Sequence, residues 1–257
     1  MVRLFPDVSS DKVSVYAYLW PNILILSLSF LLVGAGGNAR DAFHYELRMA
    51  RLLGQGKSEE ALQVGIRSEV ASRGLTAARA YALSLNGMLG DKLFEYPQRY
   101  GSNGLLPLET DSLFPGNWPQ SLYRHLGGRP GKKQPGNVTA FLERLNGHER
   151  RTAAARDYLL CAYLLDKELD KFVQTLSDSC LFNDSLPRYY KEALVLYAHL
   201  RMKPVVVFHE GAVAANYEGF QECRSRYAVE EERNNRCRDM YGQTYWYYYY
   251  FQPVSLP

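Results

Sequence analysis

The thiols and imidazoles that could carry chemistry are few and scattered in this 257-residue sequence, which holds four Cys and five His. A structural zinc site needs closely spaced donors, and none of the cysteines forms a CxxC pair. His199 and His209 stand ten apart with Glu210 beside the second, a set that could offer two imidazoles and a carboxylate to a metal. Pro204 and the apolar run 205–208 between them fit packed or surface histidines better. No HExxH, GxSxG, GxGxxG or lysine-bearing phosphate loop occurs, so the spacings of metalloproteases, serine hydrolases and nucleotide-binding enzymes are missing. Cys161 keeps helical step with Leu165 and reads as a small core residue. Cys223 and Cys237 invite a disulfide, yet one charged helix across residues 222–239 would hold them about 21 Å apart, beyond the roughly 7 Å Cα limit. The pair is therefore expected to stay unpaired. No catalytic, cofactor-binding or metal-binding residue is nominated, and no cofactor is expected.

The concentrated chemical resource is aromatic. Eight of the eleven residues 241–251 carry rings. Such rings can stack on sugars, sit in a membrane interface or close a core. Tyr245, Trp246, Tyr247 and Tyr248 are the candidate binding or capping surface, with burial favoured because so much exposed ring area would be an aggregation hazard. Residues 124–156 hold eight Lys or Arg against Glu143 and Glu149. The stretch reads as a solvated loop and exposed helix faces; no aromatic interleaves Arg129, Lys132 and Lys133 to stack bases, so nucleic acid is not an expected partner, and lipid headgroups are the better alternative to it.

These residues need elements to position them. Thirty basic against 27 acidic residues leave a formal charge of +3, and 47% hydrophobic composition excludes a disordered chain or a polycation. Residues 13–36 carry no charge and would rise about 36 Å as a helix against a hydrocarbon core of about 30 Å. A membrane anchor through lipid is expected there, with Tyr16, Tyr18 and Trp20 at one interface and Pro21 as a kink. A cleaved signal peptide ending in the small residues 34–39 is the rival reading, which Asp7 and Asp11 weaken by spoiling a basic leader. The expected location is a membrane, the bacterial inner membrane, with the side of the remaining chain open.

After the anchor the periodicity is helical. Ala42, Tyr45, Met49 and Leu52 share a face, the helix stops near Gly54 or Gly56, and Ser58 with Glu59 and Glu60 opens the next. The pattern returns 31 positions later: Ala80 and Leu83 match Met49 and Leu52, Gly87 matches Gly56, and Asp91 and Leu93 match Glu60 and Leu62. Tyr158, Ala162, Leu165, Leu169, Phe172 and Leu176 make a seam that Tyr190, Ala193, Tyr197 and Leu200 should cover from an antiparallel helix. The fold class expected is all-α: an N-terminal transmembrane helix followed by stacked, degenerate tetratricopeptide-like hairpins. The divisions are a flank at 1–12, the anchor at 13–36, hairpins at 40–96, a linker at 97–136 with six Pro and seven Gly, and a helical region with the aromatic tail at 137–257.

Several stretches together resemble an uncharacterised family of bacterial membrane proteins, familiar from Bacteroidota. They are the anchor with its glycines at 34–37, Leu89-Gly-Asp-Lys-Leu-Phe94, Gln98-Arg-Tyr-Gly101 and Asn103-Gly-Leu-Leu-Pro107, then residues 158–169, Leu186-Pro-Arg-Tyr-Tyr-Lys-Glu-Ala-Leu194 and Gly242-Gln-Thr-Tyr-Trp246. The resemblance implies a last membrane helix running into tetratricopeptide-like hairpins and an aromatic Gly-Asp-Thr-Tyr-Trp-type end. It brings no catalytic residues. Members look longer at the amino end and in the middle, so a fragment or deletion is one expectation, and Gln243 stands where an acid is usual. Two functions follow: a membrane-anchored repeat scaffold holding a protein partner, or a cell-envelope enzyme or carbohydrate-handling accessory that uses the aromatic tail.

Overall fold

A computed structural model describes residues 15–37, 41–66, 68–107, 117–129, 137–148, 151–178, 186–206, 208 and 210–253, the side chains of 15–18 and 32–37 excepted. The flank 1–12, Lys132, Lys133 and His209 lie outside the described residues. Every regular element described is helical, and the chain divides into two compact units, residues 1–41 and 42–257.

The first unit holds α1 (Val15–Gly37), with Pro21 inside it past the first turn, where its missing N–H leaves out one helical bond. Its described side chains are exposed and mostly apolar, Asn22, Ser27 and Ser29 excepted, with Trp20 at 67% and Phe30 at 70% exposure. Among the described residues no helix is long and apolar enough to cross a membrane, so the transmembrane anchor expected from the sequence is not supported.

The second unit is a stack of short helices: α2 (Asp41–Gly54), α3 (Ser58–Leu62), α4 (Arg73–Leu85), α5 (Leu89–Lys92), α6 (Trp118–Leu126), α7 (Val138–Asn146), α8 (Ala153–Leu165), α9 (Leu169–Asp178), α10 (Arg188–Leu200), α11 (Gly211–Arg226), α12 (Glu230–Tyr241) and α13 (Tyr245–Phe251). One turn geometry recurs in it. Lys57 N–H donates to Leu52 O, Met88 N–H to Leu83 O and Glu168 N–H to Tyr163 O, each closing the last turn of a helix just after a residue at positive φ. Those residues are Gly56, Gly87 and Lys167. The first two are the pair matched at 31 positions, and both glycines meet the left-handed backbone without a Cβ penalty. The third hairpin corrects the sequence reading, since the seam 158–176 is not one helix but α8 and α9 meeting at Lys167, φ 60°. The periodicity survives because Leu165 and Leu169 flank the turn and both face the core, at 0% and 2% exposure.

Of the expected linker at 97–136, residues 97–107 and 117–129 are described. In residues 97–107 a 3₁₀ turn, Gly101–Leu105, packs on α4 and α8 with Leu105 buried, and α6 packs on α8 with its Trp118, Leu122 and Leu126 buried and Trp118 stacked on Tyr81 of α4. Pro119 lies in the first turn of α6, where its missing N–H costs no helical bond. Asp166 fixes the arrangement by accepting from the Ser102 N–H at 3.0 Å and the Thr139 hydroxyl at 2.9 Å. The mixed-charge stretch 222–239 is likewise a hairpin, α11 and α12, broken by extended backbone at Tyr227 and Val229.

Candidate functional site

The C-terminal rings enter the fold through α10. Thr244 caps α13 by accepting from the Tyr247 N–H, and the buried Glu192 carboxylate of α10 accepts from the Tyr245 N–H at 2.6 Å. Negative charge at that helix start opposes the partial positive charge of its free N–H groups. Arg188 pairs with Glu192 at 2.9 Å, while the Arg188 guanidinium and the Tyr189 hydroxyl both donate to Gln243 O. Burial raises the Glu192 carboxyl above the usual carboxylate range, and the Tyr245 N–H and Arg188 pull the other way.

Tyr245, Trp246, Tyr247 and Tyr248 are all buried. Tyr245 and Tyr248 donate their hydroxyls to the carbonyls of Leu164 and Leu165 at the end of α8, and Leu164 O also accepts from the Lys167 N–H. Trp246 sits against Tyr217 and Phe220 of α11, with centroids 5.4 and 6.3 Å away. Lys167 closes the other end of α13 by donating to Gln252 O. Tyr245 to Tyr248 are thereby part of the core, while Tyr249, Tyr250 and Phe251 are half-buried.

Edges of the same rings reach a cleft of about 570 Å³. Its far wall is residues 66–99. Phe94, in a 3₁₀ turn after α5, meets Tyr189, Tyr245 and Tyr248 at 4.8 to 5.3 Å, which ties this wall to the tail. Gln98 donates to Leu93 O at 2.8 Å and closes the turn, and Tyr96 donates to Leu62 O. Beneath Tyr96 lies Arg79, 2% exposed, its guanidinium 4.9 Å from the ring centroid and donating to Gly65 O. Its Nε and Nη1 have no hydrogen-bond partner among the described residues, and burial lowers its pKa from the ordinary arginine value.

The near wall is α12 and α13. Asn234 accepts from the Tyr247 hydroxyl at 2.7 Å, and Arg238, Gln243 and Gln252 continue the rim. Glu69 and Glu95 face them across the opening with Arg99. The cleft thus presents aromatic edges at its floor, amides on both walls and charge of both signs at its mouth.

Residues 132–252 match the model of DUF6057, a family of unknown function. The DUF6057 match runs from before α7 to the end of α13, so it takes in the tail wall of the cleft and leaves the 66–99 wall outside. No curated protein and no solved structure matches the chain.

Among the described residues one further pair of polar groups has a geometry that catalysis uses. Ser84 Oγ and His125 Nε2 are 2.9 Å apart, and burial lowers the His125 pKa, which favours a neutral ring able to accept the serine proton. Among the described residues no carboxylate hydrogen-bonds the second ring nitrogen, so the orienting member of a triad is missing. His199 Nδ1 bonds Val195 O at 2.8 Å, and no group of three or more His, Cys, Asp or Glu among the described residues could hold a metal ion. Sequence reasoning missed Glu192 and Arg79, because a charged side chain inside a helical face reads as its solvated edge. It also misplaced Cys223 and Cys237, which lie 3.0 Å apart across the α11–α12 hairpin.

Proposed function

We propose that this chain is a helical scaffold that binds an extended peptide of a protein partner in the cleft between residues 66–99 and α12–α13, and that α1 holds it at a membrane. The observation that carries the binding reading is the cleft's composition. A peptide offers one N–H and one C=O per residue, and the amides of Asn234, Gln243 and Gln252 can each donate and accept. Mixed charge at the mouth selects against a polyanion, in keeping with a partner other than nucleic acid. The volume lies in the usual range for ligand clefts. The recurring hairpin turn supports kinship with helical-repeat scaffolds, which present such surfaces between stacked units.

The test places a photoreactive phenylalanine at the exposed Gln243 of the full chain in cells. The expected result is a discrete protein adduct that Arg238→Glu abolishes and that a probe at the exposed Arg124 does not yield. A glycan or lipid adduct, or the same adduct from Arg124, would overturn the reading. The membrane part is supported by the uncharged sequence of α1 and the exposure of Trp20, Leu24, Phe30 and Leu31. Flotation of the full chain with phospholipid vesicles should be lost in Leu26→Lys/Leu28→Lys, since each charge costs about 2.5 to 3.5 kcal/mol on insertion scales. Unchanged flotation would refute it.

A further inference from the structure

The α11–α12 hairpin closes around two thiols. Cys223 Sγ and Cys237 Sγ are 3.0 Å apart, and both residues are buried, at 6% and 0% exposure. The helices come this near partly because residue 219 is glycine: a Cβ there would stand 2.7 Å from the Tyr241 hydroxyl. Phe220 and Tyr241 pack at 5.5 Å between centroids just beyond the thiols. A disulfide needs sulfurs about 2.05 Å apart, so closure asks for about 1 Å of movement, the scale of a side-chain torsion. Cys161 offers no rival, being sealed in the core 3.7 Å from the Tyr190 hydroxyl. Arg224 and Arg233 stand close enough to favour a thiolate at Cys237, against the burial that raises its pKa.

We propose that Cys223 and Cys237 form a redox-modification site, a dithiol that a small-molecule disulfide oxidises to an intramolecular disulfide stapling α11 to α12. Cys223 is the less buried thiol and reacts first. Its thiolate attacks one sulfur of the oxidant, that S–S bond breaks, and the first small thiol leaves with a proton. The Cys237 thiolate then attacks the mixed disulfide at Cys223 and releases the second thiol with the second proton. The two electrons lost by the protein thiols reside in the reduced oxidant. Access needs only local opening of the hairpin, whose connection at Val229 is 61% exposed. The staple acts on the helix that carries Asn234 and Arg238, and it stands whether or not the cleft binds a peptide.

The experiment equilibrates the reduced full chain with mixtures of reduced and oxidised glutathione, quenches by alkylation, and maps peptides by mass spectrometry. The expected product has lost two hydrogen atoms, carries a Cys223–Cys237 link, and holds no stable glutathione. Its melting temperature should rise by about 6 to 12 °C, because the bridge closes a short loop and constrains the unfolded chain. Cys223→Ser should show neither the link nor the rise. A stable glutathione adduct on the wild-type pair, a link to Cys161 or Cys180, no link under the most oxidising mixture, or a link without a rise in melting temperature would each overturn the proposal. Mapping of the wild-type chain decides the matter even if the serine variant fails to fold.

Discussion

Glu192→Ala should detach the tail from the core. The Glu192 carboxylate is 3% exposed, accepts from the Tyr245 N–H at 2.6 Å and pairs with Arg188 at 2.9 Å. Removing it deletes a charge-assisted bond worth about 1.5 to 3 kcal/mol and leaves a buried N–H without a partner. The Arg188 side chain is 42% exposed, so water takes up its freed charge and adds little to the loss. The expected destabilisation is about 2 to 4 kcal/mol, below that of a fully buried broken pair. Glu192→Gln should cost less than about 1 kcal/mol at neutral pH, because the amide oxygen still accepts from Tyr245. The pH dependence has a definite sign. The carboxyl holds its proton more tightly folded than unfolded, so its contribution is fully present below the ordinary glutamate range and falls as pH rises through the raised folded value. The stability of the wild type relative to Glu192→Gln should therefore decline with rising pH over that interval. Urea unfolding followed by fluorescence of the buried Trp246 measures both. An alanine effect below about 1 kcal/mol, or a glutamine effect equal to it, would refute the carboxylate as the anchor of α13.

Leu165→Ala, at a position with 0% exposure, should lose about 2 to 5 kcal/mol by the same urea assay, and a loss below 1 would mean the α8 face is misassigned. Trp246→Ala should lose about 3 to 5 kcal/mol and the near-ultraviolet dichroism of the Tyr217–Phe220 cluster. Gly87→Ala isolates backbone conformation, since a Cβ there meets nothing within 4 Å; at φ 67° it should cost about 1 to 2 kcal/mol, with Gly87→Asn costing less.

Legibility in the sequence followed how directly a residue's type reports its backbone or surroundings. Gly56 and Gly87 announce the left-handed turn, so two hairpins were readable from a 31-residue spacing. Lys167 adopts the same turn, and nothing in a lysine says so. It is held there by the 168-to-163 backbone bond and by donation to Gln252 O, contacts that exist only after folding. The rings at 245–248 advertise burial by their area. The acids and arginines of 222–239 conceal a hairpin, because the chain bends there to bury two small thiols and Phe220 while the charges stay in water. Glu192 and Arg79 were unreadable for a related reason: their partners are a backbone N–H and a tyrosine face brought from distant segments.

The bonds from Tyr245 and Tyr248 to the carbonyls of Leu164 and Leu165 bear on the order of folding during synthesis. They join points about 80 residues apart, and the central helices α8 and α10 stay open on one side until α13 has left the ribosome. Long loops must close before such contacts reward them, so this docking is a late, slow step. Until then the Leu165 carbonyl at the end of α8 is left to water, and the surface awaiting the rings is open to other nascent chains. The growing chain is therefore most vulnerable to mispairing in the interval between the emergence of α10 and that of the last ring.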